Sequence, residues 1–107
     1  MKFNRITGVL LLAMAAAGHT QAHAQDKEAL YLKSLAATCA NCHGTNGVSA
    51  PGASVPSLAG MPKDYLVTQM KAFKTGTRPA TIMHQLSKGY SDAQIEQIAA
   101  YFAAQKK

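Results

Sequence analysis

Two thiols and an imidazole stand together in Cys39-Ala40-Asn41-Cys42-His43, and these are the only two cysteines of the 107-residue chain. On a helical turn, side chains three apart lie on one face. Each thiol of such a pair can add to one vinyl group of a haem, and the imidazole that follows is then set beneath the iron as an axial ligand. Three other uses of these residues compete. A thioredoxin-type dithiol also uses Cys-x-x-Cys but sits beside a parallel sheet, and no alternating strand pattern occurs here. A zinc site usually needs four N or S donors, and the next histidine, His84, is distant in sequence and lacks a paired donor. A structural disulfide would leave His43 without a role. Covalent attachment of a single haem is the reading in which every position of the motif has a function.

The second face of the iron needs a ligand or stays open, and that choice separates electron transfer from small-molecule chemistry. Once a leader is set aside, as argued below, the possible donors are Met61, Met70, Met83 and His84. Met70 falls on the apolar stripe of a helix, four residues after Leu66 and three before Phe73, so it reads as core. Met61 directly precedes Pro62 and reads as a loop packing residue. Met83 lies in a later segment, where the chain has room to pass round a haem edge. It is preferred to His84, because a thioether opposite an imidazole is the usual electron-carrier pair and raises the reduction potential. His84 remains the rival, and bis-imidazole ligation would lower that potential. An open iron would instead suit a haem sensor or a peroxidase. A ligating imidazole normally donates its other N–H to a carbonyl, for which Pro56 is the candidate, with Leu58 packing on the haem face.

These residues need elements to hold them. Residues 26–37 read as a helix, with Leu32, Leu35, Ala36 and Cys39 at helical spacing. Gly44 to Gly60 has no period and reads as a long loop. A loop of that length in a small domain is unusual unless it wraps something or has a function. A second helix is expected from about Pro62, as first helical residue, to a stop at Gly76. Thr77 to Tyr90 reads as irregular. A third helix begins at Ser91, where Ser91 and Gln94 form a capping box, and Ile95, Ile98, Ala99 and Phe102 make one stripe. The fold class is all-α, with three main helices and two long loops wrapped around one covalently bound haem.

The first 24 residues are excluded from that domain. Lys2 and Arg5 precede an apolar run from Ile6 to Gly18, and Ala22-His23-Ala24 ends it in the small-x-small pattern of a cleaved export signal. The apolar run is shorter than the roughly 20 residues that span a bilayer. Export to the periplasm and a single domain over residues 25–107, with no membrane span, follow as expectations. The formal net charge of +6 comes with no basic run and no interleaved aromatics, so nucleic acid is not an expected partner. No nucleophile, general base or substrate pocket can be named, and the chain by itself reads as a carrier and not as an enzyme.

Residues 30–105 resemble a class I cytochrome c. The resemblance implies histidine–methionine ligation through His43 and Met83, and N- and C-terminal helices that cross beside the haem, with Leu32 or Leu35 meeting Tyr101 or Phe102. Pro-Ser-Leu-Ala-Gly at residues 56–60 and the later loop methionine stand in that family's order. A narrower likeness runs through Gly60-Met61-Pro62, Tyr65-Leu66, Phe73-Lys74-Thr75-Gly76, residues 78–83 and Lys88-Gly89-Tyr90-Ser91-Asp92. These segments are similar to the cytochrome subunit of flavocytochrome c sulfide dehydrogenases. That likeness implies a flavoprotein subunit as electron donor, sulfide as the ultimate reductant and another cytochrome as acceptor. Many members of that family carry two haem domains, whereas this sequence has one Cys-x-x-Cys-His. A one-haem form of the subunit and an independent shuttle between respiratory complexes are both compatible with it.

Overall fold

The computed structural model describes residues 5–107, with side chains from His23 onward. The chain divides into two compact units, Met1–Tyr31 and Leu32–Lys107. The export leader over residues 1–24 lies, apart from His23 and Ala24, outside the residues whose side chains are described. Among the described residues, no helix is long and apolar enough to cross a membrane.

The described elements are helical: α1 (Arg5–His43), a single 3₁₀ turn (Thr45–Gly47), α2 (Lys63–Thr75), α3 (Met83–Lys88) and α4 (Asp92–Ala103). The helix expected to end at Ala37 continues through the cysteines to His43. No glycine or proline interrupts residues 38–43, and the first residue that suits a turn is Gly44, at φ 84°. Pro62 is the cap residue before α2 and not its first helical residue. Its carbonyl accepts from Leu66 N, so it still opens the helix. At the other end Gly76 adopts the left-handed conformation that terminates helices.

Residues 77–90 were expected to be irregular, yet α3 forms within them. The reason is tertiary. Six residues are too few to be stable as an isolated helix, but α3 packs along α2, and α2 packs in turn against α4. The sequence between Pro79 and Gly89 holds no breaker, so that packing suffices.

The capping box of α4 is present, with the Ser91 side chain accepting from Gln94 N and the Gln94 side chain accepting from Ser91 N. Its four apolar stripe residues are all buried. With Ala36, Leu66 and Val67 they form the core, onto which Leu35, Cys39, Leu58, Met61, Met70, Tyr90 and Tyr101 pack. Of the two leucines expected to meet α4, Leu35 packs onto the core that holds Phe102, and Ala36 is buried. Among the described residues, the large apolar side chains wholly removed from solvent are Phe102 and Ile95, and a domain so small has little core of its own.

Candidate functional site: two thiols, a held imidazole and a thioether

The end of α1 brings three of the residues together by helix geometry alone. Cys39, Cys42 and His43 occupy positions i, i+3 and i+4, which neighbour one another on a helix surface. Cys42 is exposed, Cys39 is partly buried, and both are free thiols. Burial pushes the Cys39 thiol up from its ordinary pKa, and Cys42 adds to this electrostatically.

His43 is buried at 8% exposure. Its Nδ1 lies 2.7 Å from the Pro56 carbonyl, which can only accept, so Nδ1 carries the proton. When the ring is neutral, that leaves Nε2 as its lone-pair nitrogen. Pro56 reaches the ring because the loop after α1 folds back on itself. A Cβ at Gly44 would come within 1.8 Å of the Val48 carbonyl oxygen, so the chain turns there only as glycine. Gly47 O accepts from Leu58 N at 2.8 Å and from Ala59 N at 3.1 Å, closing the loop at its base. Ser49 N donates to Ser57 Oγ at 2.9 Å, and Ser49 Oγ donates to Val55 O at 2.8 Å. These bonds bracket Pro56 on both sides. Gly47 also lies against Phe102, where a Cβ would meet the ring at 2.7 Å, and Tyr101 OH donates to Asn46 Oδ1 at 2.8 Å. The loop is thus docked on α4.

A further hydrogen bond holds the α1 end from the opposite direction. Thr38 Oγ1 donates to Leu35 O at 2.8 Å, which uses its one proton, so the Tyr90 hydroxyl donates to Thr38 Oγ1. Lys74 Nζ donates to the Tyr90 carbonyl at 2.7 Å and to Asp92 Oδ1 at 3.0 Å. Tyr90 therefore links α1, α2 and the start of α4 one residue away from Cys39.

Met83 is delivered separately, as the first residue of α3, and is partly buried. No hydrogen bond joins it to the histidine cluster among the described residues. Its neighbours Ile82 and Leu86 are about half exposed, as is Val48 in the loop. His84 is partly buried, and its Nδ1 is a buried nitrogen with no hydrogen-bond partner. Leu58 packs on the edge of the core; Pro56 is exposed apart from the carbonyl bond already described.

The donor set fits a haem. Among the described residues, no three His, Cys, Asp or Glu side chains converge as a metal cluster would require, which sets the zinc reading aside on geometry. An imidazole oriented by a carbonyl, with its second nitrogen left as a donor, is the arrangement of a ligating histidine. Exposed Val48, Ile82 and Leu86 provide the apolar surface that a large macrocycle would remove from water.

Comparison with known proteins agrees. The cytochrome c family profile matches residues 28–106, and the chain belongs to that family, with the all-helical fold of its class I members. Members of that family carry covalently attached haem c and transfer electrons. It is 41% identical over 68 residues to the cytochrome subunit of sulfide dehydrogenase from Chlorobaculum tepidum, covering 64% of this chain and 60% of that one. It is 39% identical over 71 residues to the thiosulfate dehydrogenase electron acceptor of Thiomonas intermedia, covering 66% and 33%. With cytochrome c4 of Pseudomonas aeruginosa it shares 39% over 103 residues, covering 96% and 49%. Among solved structures it is similar to the cytochrome c4 of Acidithiobacillus ferrooxidans, with a TM-score of 0.58 and 38% identity over 62% of this chain and 37% of that one. The chain thus matches between a third and three fifths of the length of these three curated relatives.

Sequence reasoning missed Thr38, Tyr90, Ser49 and Ser57. Each is a polar residue whose role depends on a partner distant in the chain, and nothing local marks it. The glycines were visible as punctuation, but the particular demand at Gly44 arises from the path of residue 48.

Proposed function

We propose that Cys39 and Cys42 carry the two thioether bonds to haem c, that His43 and Met83 are its axial ligands, and that Leu58 packs on its face. Haem c supplies a centre that takes up and releases one electron. The protein's own contribution is to hold that centre and set its affinity for the electron. The Pro56 carbonyl fixes the His43 ring and raises its basicity as a ligand, whereas the Met83 thioether favours the reduced state. The observation that carries this reading is the 2.7 Å bond from His43 Nδ1 to Pro56 O, on a buried ring that directly follows the two thiols.

In the cell, this reading makes the protein a periplasmic subunit that accepts electrons from a sulfide-oxidising flavoprotein and passes them to another cytochrome. The leader-like residues 1–24 support export, and the 41% identity to a sulfide dehydrogenase cytochrome subunit supports the partner. Purification from the native periplasm tests it. The protein should co-elute with a flavin-containing chain, and sulfide should reduce its haem only when that chain is present. Recovery free of any flavoprotein, with no sulfide-dependent reduction, counts against it.

One observation favours a free shuttle instead. The chain is 40% identical over 73 residues to cytochrome c-554(548) of Halomonas halodenitrificans, covering 86% of that protein. A shuttle would show fast reduction by several donors with a steep dependence on ionic strength.

A further inference from the structure

Among the described residues, Ser87 stands with Phe102 and Ile95 as the largest side chains wholly removed from solvent. A hydroxyl in that company needs a partner. In a helix, the usual one is the carbonyl four residues back, and α2 shows this habit twice: Thr68 Oγ1 donates to Asp64 O at 2.8 Å, and Thr75 Oγ1 donates to Lys71 O at 3.0 Å. Ser87 does otherwise. Its Oγ reaches across to α2 and donates to Met70 Sδ at 3.6 Å, leaving the carbonyl of Met83, four residues back in its own helix, to the backbone.

The position of that bond gives it a consequence. Met83 and Ser87 are separated by one helical turn, so they share a face of α3. The helix has six residues and no side-chain cap at its N-terminus, so little within it fixes its rotation about its own axis. Ile82, the cap residue, and Leu86 are each about half exposed. The Ser87 hydroxyl is a directional contact between α3 and α2. It also occupies the lone pair of the one other thioether in this helix pair.

We infer that Ser87 is a positioning residue for Met83: its bond to Met70 sets the rotation of α3 and hence the direction in which the Met83 thioether is offered. The inference rests on Met83 as axial ligand. A loosely held thioether yields its place to an added ligand more readily, so imidazole binding to the oxidised holoprotein reads the effect. Ser87→Ala should raise the apparent imidazole affinity about fivefold, the equilibrium weight of one net hydrogen bond. Met70→Leu, which keeps the volume and removes the acceptor, should do the same, and the double variant should add nothing further. Ile95→Val, a core change elsewhere, should lower the melting temperature without moving the imidazole affinity. Unchanged affinity in Ser87→Ala and Met70→Leu, gains that multiply in the double variant, or an equal gain in Ile95→Val would overturn the inference. Survival of the sulfur-to-iron charge-transfer band in Met83→Ala would instead remove the ligand reading, and this inference with it.

Discussion

His43 ends a helix at a residue that must be followed by glycine, its ring is buried, and its Nδ1 is fixed by a carbonyl from a loop closed by four hydrogen bonds. Met83 opens a six-residue helix with no side-chain cap, flanked by exposed Ile82 and Leu86. On the proposed ligation, one ligand would be set by its covalent neighbours and backbone, the other by packing of a short element on its neighbour. That asymmetry would assign different tasks to the two sides. The histidine side would define where the haem is attached, and the methionine side could be tuned without disturbing that attachment.

The largest expected effect lies on the histidine side. Gly44→Ala would place a methyl 1.8 Å from the Val48 carbonyl oxygen at a positive φ. The turn cannot absorb that, and a destabilisation above about 4 kcal/mol is expected. Haem-staining yield of the protein should collapse. Normal yield would show that the loop is more adaptable than the histidine side of the comparison requires.

Next comes the link between the two sides. Tyr90→Phe removes only the hydroxyl that donates to Thr38, and a loss of about 1 kcal/mol is expected in denaturant unfolding of the holoprotein. Thr38→Val should cost a similar amount, and the pair should be non-additive in a double-mutant cycle. Additive losses would mean that the two groups do not act through one bond.

The smallest effect concerns the charges that tie α2 to α4. Lys74 holds the Asp92 carboxyl below the usual range, first by a hydrogen bond and then by its charge, and Lys63 does the same for Glu96. Both side chains reach solvent, so the contribution is slight and screened by salt. Because the folded-state pKa values are depressed, the contribution is present above the ordinary carboxylate range of about 4 and is lost as pH falls through the lowered values. The melting-temperature gap between wild type and Asp92→Asn/Glu96→Gln should be small near neutrality and close on acidification. A gap that widens in acid would reverse the sign.

How much of this could be read beforehand follows the same division. The α4 stripe, its capping box and the Gly76 stop are local patterns, and local patterns are legible. So was the spacing of Cys39, Cys42 and His43. The apolar stripe of α1 ends at Cys39, so the last turn that carries the motif to His43 has no periodic signal of its own. Helix α3 carries no signal of its own: Met83 to Lys88 spans under two turns, without a cap, and exists through contact with α2. The bonds from Tyr90 to Thr38 and from Ser87 to Met70 join residues whose proximity only the fold creates.

The account turns on which side chain completes the iron's coordination opposite His43. The direct measurement is the long-wavelength sulfur-to-iron charge-transfer band of the oxidised holoprotein, compared in Met83→Ala and His84→Ala. The band should vanish in Met83→Ala and stay unchanged in His84→Ala. A band that persists without Met83 would contradict the account.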